Sequence, residues 1–463
     1  MLVSFKILIL LWAVNLTPAL LTYYLDQRWG RPLDGGRPWR DGRPLLGSHK
    51  TIRGVLGGVA AGTITGVYLG FPAWLGLAAG LLSMAGDLFS SFLKRRLSKS
   101  SGAVVPGLDQ IFEGGLPFAV LGPFGGLSAA GVLGLVLLFS VTAFGASWFL
   151  QHILLTQPFE NYHRPLRIRT RFREWRACQI SNNPLHPFLN FEHAFYYHFL
   201  LKTVFQLMGL YRKGIQNALE IAPRSLSLRP LALPPAFDGY TVLFLSDLHL
   251  DGLEGLTEKV CELAADQPVD LCLLGGDFRT ELSGPYTRAV SQLERLIPAI
   301  RARDGIYAVI GNHDCLEMLE PLHAIGIQFL LNESLAIHRN GTRLWLVGVD
   351  DPHYYQAHDL NRAFDGVPRE DFIVFLAHSP ELYREADEKG ADVYLCGHTH
   401  GGQIQLPAIG AVFTHSRAPR RFSAGAWTHR GMLGYTSFGV GVSGIPVRFG
   451  TRGEVLRLTL RRP

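Results

Sequence analysis

Hydrophobic residues follow two different patterns along this chain. Over the first third they form long uncharged runs; from about residue 237 they form short runs separated by loops and helical stretches. Residues 7–24 are apolar enough to span a bilayer and too long for the apolar core of a cleavable signal peptide. Residues 54–86 carry no charge and break at Gly70-Phe71-Pro72, which predicts two spans joined by a tight turn. Residues 114–159 are again uncharged, with a break around 122–126. Residues 129–154 read as a span. The part before the break is shorter, follows Asp109 and Glu113, and reads as a span, a re-entrant segment or a polar one. Five spans result, with a large buried helix set as the alternative.

The second pattern is that of an α/β domain. Strand-like runs at 240–245, 270–274, 306–310, 372–376 and 393–396 alternate with loops and helical stretches. Three regions follow: a multi-pass membrane domain at 1–160, a basic and aromatic linker at 161–236, and an α/β domain at 237–463. Within the linker, 186–215 is rich in Phe, Tyr and Leu and interrupted by Lys202, Arg212 and Lys213. It suits either a helix lying in the bilayer interface or one packed on the α/β domain.

Charge decides orientation. The net charge is +6, but the basic residues gather beside the apolar segments, which points to topology and anionic lipid and away from nucleic acid. Arg28, Arg31, Arg37, Arg40, Arg43, Lys50 and Arg53 follow the first span; Lys94, Arg95, Arg96 and Lys99 follow the third. Arg164, Arg167, Arg169, Arg171, Arg173 and Arg176 follow the last. Five spans place all three clusters on one side, expected to be the cytoplasmic face of the cell (inner) membrane, with the C-terminal domain beside them. The five cysteines, Cys178, Cys261, Cys272, Cys315 and Cys396, are scattered and odd in number, which predicts reduced thiols.

The chemistry-bearing residues sit just past the strand ends, where an α/β sheet gathers ligands into one crevice. The runs end in Asp247-Leu248-His249, Gly276-Asp277, Gly311-Asn312-His313-Asp314, His378-Ser379 and Gly397-His398-Thr399-His400-Gly401-Gly402-Gln403. Two divalent ions held close together need a bridging carboxylate, imidazoles and a carboxamide oxygen, with room for a water between them. Asp277 suits the bridge. Asp247, His249 and His400 would complete one ion, and Asn312, His378 and His398 the other. His313 would stabilise or protonate the leaving oxygen, with Asp314 orienting its ring. Asp350, Asp351 and His353, after the strand-like run 344–349, suit substrate contact or, more simply, an exposed turn. Arg417, Arg420 and Arg421 suit anion steering or a solvated loop.

These five motifs, with the tail from Gly439 to Phe449, resemble the calcineurin-like metallophosphoesterase superfamily over about residues 237–461. Within it, the G-H-T-H-G-G-Q motif and that tail look like the branch that contains membrane-associated bacterial phosphodiesterases and some UDP-2,3-diacylglucosamine pyrophosphatases. The resemblance implies a four-layer αββα sandwich and two divalent ions, of which Mn, Fe or Zn would suit.

The membrane half carries its own polar set. Polar and acidic residues this close to spans are costly and suggest a site. Lys50, Arg53, Lys94 and Arg95 suit a triphosphate; Asp87 and Asp109 suit Mg²⁺. The stretches G-S-H-K-T-I-R-G, G-D-L-F-S-S-F-L-K-R-R and P-G-L-D-Q resemble the CDP-archaeol synthase family, related to the CDP-diacylglycerol synthases, over about residues 8–155. That resemblance implies CTP and a lipid phosphate as substrates. The family pattern runs D-Q-L-D, but here Phe112 holds the second acidic position and Glu113 comes one residue late. A residue step on a helix is about 100°, so Glu113 is expected to leave the site one ligand short. Together these readings predict a membrane-bound phosphoesterase acting on a phosphorylated or nucleotide-linked lipid, fused to a cytidylyltransferase-like domain. A soluble-nucleotide phosphodiesterase with an inert anchor, or a non-catalytic scaffold, are the alternatives.

Overall fold

The computed structural model describes residues 2–25, 29–99, 108–123, 126–149, 162, 164, 167–179, 199–266, 268–407 and 409–463. Arg28, Pro106, Gly107, the end of the last expected span (150–154) and residues 180–198 of the linker lie outside the described residues. The chain forms two compact units, Met1–Leu155 and Thr156–Pro463.

Among its described residues the first unit contains five helices: α1 (Leu2–Leu25), α2 (Ile52–Tyr68), α3 (Ala73–Arg96), α4 (Leu108–Leu121) and α5 (Ala129–Phe149). Their breaks fall at the expected glycine and proline positions. Val3–Thr22, Ala73–Arg96 and Ala129–Phe149 are long and apolar enough to cross a membrane. The 14-residue α4 extends only about 21 Å, well short of a hydrocarbon core of about 30 Å. It is the shorter segment that the sequence pattern marked. Helix α2 buries Gly54, Gly58, Gly62 and Gly66, a stripe of small residues one turn apart. A Cβ on Gly62 would come within 2.9 Å of the Gly76 carbonyl oxygen, so the glycines set how closely α2 meets α3. Helix α3 does not end at Gly86, where the uncharged run stops. It continues for ten residues to Arg96, lifting Asp87, Ser90, Ser91, Lys94 and Arg95 on a rigid element.

The second unit, from Thr156, takes in the expected linker. Helix α6 (Ile168–Glu174) is followed by α7 (Lys202–Leu207) and α8 (Tyr211–Ala218). Fourteen strands follow: β1 (Ala222–Leu228), β2 (Thr241–Leu245), β3 (Leu271–Leu274), β4 (Ile306–Ala308), β5 (Gln328–Phe329), β6 (Glu333–Arg339), β7 (Thr342–Gly348), β8 (Phe372–Leu376), β9 (Val393–Cys396), β10 (Gln405–Leu406), β11 (Gly410–Ala411), β12 (Gly425–His429), β13 (Met432–Thr436) and β14 (Glu454–Leu460). Two six-stranded sheets form, ordered β1-β14-β2-β3-β4-β5 and β12-β13-β9-β8-β7-β6. Val242, Phe244, Leu271 and Leu273 of one sheet meet Leu344, Leu346, Val374 and Leu395 of the other in a shared apolar layer. Helices α9 (Leu256–Ala265), α10 (Thr287–Leu296) and α11 (Leu319–Ala324) cover the first sheet. Helices α12 (Leu360–Ala363) and α13 (Tyr383–Glu388) cover the second, completing the αββα sandwich. Strand β1, from the expected linker, pairs in parallel with β14 over seven residues and closes the first sheet's edge.

The start of this unit is fastened by buried charge. The Arg164 guanidinium donates to both oxygens of Asp350 at 2.8 and 2.9 Å. Arg171 pairs with Glu174 at 3.2 Å, and the Thr170 hydroxyl donates to the Tyr355 carbonyl. The expected exposed turn at Asp350 and Asp351 is therefore corrected: both are buried. Asp351 accepts the backbone N–H groups of His353, Tyr354 and Tyr355, and Asp350 meets a guanidinium 186 residues away. Arg164→Ala would strand the Asp350 carboxylate in the interior, a loss of about 3–5 kcal/mol. A lower urea midpoint for the second unit is the expected result; an unchanged midpoint would show that this pair does not fasten it.

The cysteine expectation is corrected too. Cys178 and Cys315 form a disulfide; Cys261, Cys272 and Cys396 are free. The sulfurs meet because the segment after α6 folds back onto the loop following β4, a return across 137 residues that spacing alone does not reveal.

Candidate metal centre and membrane cavity

Strands β2, β3 and β4 run parallel, as do β7, β8 and β9, so their C-terminal ends present loops along common edges. Those loops bring all seven expected ligands together in the interior. Asp247, His249 and His400 converge, as do Asp277, His378 and His398, each trio with donor atoms within 4.8 Å of one another. Oδ2 of Asp277 lies 3.2 Å from His378 Nε2 and 3.7 Å from His249 Nε2, so it stands between the two trios. Asn312 Oδ1 is 3.0 Å from His378 Nε2, which adds the expected carboxamide.

The local backbone explains the convergence. Asp247, His249, Asp277, His398 and His400 all have positive φ, between 41° and 72°. Such a backbone is costly for any residue with a Cβ and collects at functional sites. Here it turns each side chain back across its strand end. A Cβ on Gly311 would overlap Asp277 and His378, so that position must be glycine for the loops to close.

The donor set fits divalent ions. His249 and His378 each point Nδ1 at a backbone carbonyl 2.7 Å away, of Arg279 and Gly275 respectively, leaving Nε2 for the centre. His398 does the reverse, holding the His415 carbonyl at 3.0 Å through Nε2 and facing inward with Nδ1. This anchoring by one ring nitrogen is how metal-ligating histidines are oriented. Burial pushes the imidazoles of His398 and His400 well below the usual range, helped by neighbouring histidines, so both keep free lone pairs. Burial would also raise the Asp277 carboxyl, but His378 and His313 outweigh it and hold it well below the carboxylate range. His378 is driven the other way: burial opposes its charge, yet Asp277 and Asp247 raise it to about 10. A site whose carboxylates hold positive charge so firmly is built for cations.

Around the centre, His313 Nε2 lies 3.9 Å from Asp277 and 3.3 Å from the Ser443 hydroxyl. Asp314 does not orient that ring. Its two oxygens accept the N–H groups of Asp277, Phe278 and Gly311, so it ties the loops after β3 and β4 together. Spacing suggested an orienting pair; the turn instead aims the carboxylate at backbone donors. Sequence reasoning missed Arg279 and Glu381, and left His353 between substrate contact and an exposed turn. Arg279, fully buried, donates to the His313, Leu282 and Ala177 carbonyls and binds the His313 loop to the segment after α6. His353 packs on His398 with ring centres 4.2 Å apart, and Glu381 holds its Nδ1 at 2.7 Å. None stands in a motif, and only folding brings them near. Arg417, Arg420 and Arg421 are exposed.

The first unit holds a partly open cavity of about 590 Å³, lined by Lys50, Asp87, Lys94, Arg95, Asp109 and Glu113 among apolar neighbours. Lys50 pairs with Asp87 and Lys94 with Asp109, the latter also accepting from the Ser90 hydroxyl at 2.8 Å. Arg53, in the first turn of α2, is not on this wall. Glu113 is, against the expectation that its one-residue offset turns it off that face. From Asp109, a step of four residues is about 40° off and a step of three about 60°, so the late acid keeps the same face. Gly86 lets α3 touch the α4 backbone at Phe112 and Glu113, which brings Glu113 to Asp87. Phe112 turns outward onto Phe89, ring centres 5.0 Å apart.

Comparison with known proteins agrees with both halves. A calcineurin-like phosphoesterase profile matches residues 240–402, and a CDP-archaeol synthase profile matches residues 7–142. The chain is 44% identical to a CDP-archaeol synthase of Thermococcus gammatolerans over 26% of this chain and 77% of that protein. It is 31% identical to phosphodiesterase YaeI of Escherichia coli over 48% of this chain and 82% of that protein. It is also 28% identical to a bovine transmembrane protein with a metallophosphoesterase domain, over 57% of this chain and 61% of that protein. With every expected strand-end ligand gathered in one crevice, and a charged cavity among its apolar helices, this chain belongs to the calcineurin-like phosphoesterases through its C-terminal half and to the CDP-archaeol synthase family through its N-terminal half.

Proposed function

We propose that the C-terminal half hydrolyses a phosphate ester or pyrophosphate bond of a lipid-linked substrate, and that the N-terminal half transfers a cytidylyl group from CTP to a lipid phosphate. The observation carrying the first reading is the pair of buried ligand trios with Asp277 between them. Two divalent ions held there, Mn, Fe or Zn by donor type, would neutralise phosphoryl oxygens and acidify a shared water. The chain's own residues do the rest. Asp247, His249 and His400 would hold one ion, and Asn312, His378 and His398 the other. His313, steadied by Ser443, offers its ring edge to the leaving oxygen. His353, braced by Glu381, lines the approach to His398. Because a CDP-lipid made by one half and split by the other would waste CTP, the hydrolytic substrate is a different phosphate compound.

In the membrane half, Lys50, Lys94 and Arg95 would bind the triphosphate, and Asp87, Asp109 and Glu113 would hold Mg²⁺. Arg53 would act outside the cavity wall. The positive-inside distribution favours a C-terminal domain on the cytoplasmic side of the cell membrane. A disulfide at Cys178–Cys315 there would belong to the transient or redox-sensing class, since the cytosol keeps structural thiols reduced.

The test is hydrolysis of bis(p-nitrophenyl) phosphate by the full chain in detergent, with Mn²⁺ and then with chelator. Turnover that chelator abolishes is the expected result; turnover indifferent to chelator would refute the reading. His313→Ala is expected to slow turnover about 10²–10³-fold, in the range of a lost general acid, while about two ions per chain remain bound. Loss of both ions in that variant would instead make His313 part of the ion site.

A further inference from the structure

The second unit exposes an apolar face beside the metal centre. Leu200, Val204, Leu207 and Met208 follow a spacing of four, three and one, a single stripe along the helical turn at 199–201 and α7. In a globular domain such a stripe is buried. Here Leu207 is 84% exposed and Met208 62%. A second apolar projection stands next to it, the hairpin of β10 and β11, where Leu406, Ile409 and Phe413 are exposed. The two are continuous. Phe205 of α7 stacks on Phe449 with ring centres 5.6 Å apart, and the Phe449 carbonyl accepts from Gln405 N at the base of the hairpin.

The face also adjoins the centre. The hairpin leaves directly from His400-Gly401-Gly402, and its return strand passes to His415, whose carbonyl anchors His398. At the hairpin's base, the Gln403 amide donates to the Ser443 carbonyl, and Ser443 touches His313.

Charge identifies what covers the face. Residues 199–219 contain Lys202, Arg212 and Lys213 and no acid; residues 402–423 contain Arg417, Arg420 and Arg421 and no acid. Large aliphatic and aromatic tips on segments that carry cations and no acid of their own match an anionic bilayer surface, where the tips enter the acyl boundary and the cations meet phosphates. A nucleic acid would answer the cations but not the aliphatic tips. Other helices of the same chain are long and apolar enough to cross a membrane, so such a surface is at hand.

We infer that the Leu200–Met208 stripe and the Leu406–Phe413 hairpin form an interfacial foot that sets the mouth of the metal centre at the level of lipid phosphates. This deepens the lipid-linked reading of the site, because the centre then meets substrates at headgroup height and not from bulk solution.

The foot is tested without any turnover measurement, so its failure and that of the hydrolytic reading are distinguishable. The full chain carrying Cys261→Ser is placed in phosphatidylglycerol-rich nanodiscs with a nitroxide on Leu207→Cys or on Phe413→Cys. Cys272 and Cys396 are buried and Cys178 is bonded to Cys315, so labelling is confined to the new thiol. Collisions with dissolved oxygen are expected to exceed those with a water-soluble nickel chelate at both sites, and the ratio to reverse at Glu294→Cys, an exposed position outside the face. Nickel collisions at 207 and 413 equal to those at 294 would overturn the proposal. Exclusion of both reagents would overturn it too, because a protein surface would then cover the face.

Discussion

Asp277→Ala is expected to lower metal-dependent hydrolysis by about 10³-fold or more, a rise of about 4 kcal/mol in the barrier. Among the described residues, Asp277 is the one carboxylate within 4 Å of imidazoles from both trios, His249 and His378, and of His313 as well. Its other oxygen accepts from His313 N at 2.8 Å, so the same side chain also shapes the leaving-group loop. Without it, five imidazole and carboxylate donors and the Asn312 carboxamide would remain around a gap with no shared oxygen, and each ion would lose its common neutralising charge. Hydrolysis of bis(p-nitrophenyl) phosphate and metal content by mass spectrometry check this together. Turnover should collapse and bound metal fall below two ions per chain. Wild-type turnover in the variant would refute the two-metal assignment. Asp277→Asn separates charge from shape: its carboxamide retains an acceptor for His313 N, so loss of activity with the loop intact would identify the charge as the essential property.

The metal centre was legible because its information is local. Each ligand stands within a few residues of a strand-like apolar run, and an α/β sheet delivers strand ends to one crevice whatever lies between them. Asp247, His249, Asp277, Asn312, His378, His398 and His400 all arrive where that rule sends them. What escaped notice depends on long returns of the chain. Asp350 looked like a surface turn because its partner, Arg164, lies in what read as a linker. Cys178 and Cys315 looked unpaired for the same reason. Strand β1 has few large apolar residues, since it borders the first sheet with an exposed side. Asp314 was misjudged for another cause: a carboxylate next to a histidine in sequence does not face its ring when the turn aims it at backbone donors. The foot was half visible, its basic and aromatic composition plain, while the outward turn of Leu207 and Met208 needed the fold.

Glu113→Gln is expected to cut CTP-dependent cytidylyl transfer, and the affinity for Mn²⁺ used as a Mg²⁺ reporter, by about 10–100-fold each. Phe112→Asp, which restores the family's spacing, is expected to rescue little. The argument is angular and then steric. Residues 109 and 113 face the same way on α4, and Glu113 lines the cavity with Asp87, Asp109 and Lys50. Position 112 faces Phe89 and the apolar side of α3. The close contact at Gly86 fixes this rotation, because any Cβ there would overlap the Phe112 carbonyl and push α4 away. Pyrophosphate release with a lipid phosphate acceptor reads the transfer. Mn²⁺ titration followed by electron paramagnetic resonance, compared between Asp277→Ala and Asp277→Ala/Glu113→Gln, reads the ion without turnover and with the phosphoesterase centre disabled in both. Unchanged transfer and unchanged Mn²⁺ affinity would remove Glu113 from the site. Transfer gained by Phe112→Asp in the Glu113→Gln chain would show that the family's own spacing still governs the cavity.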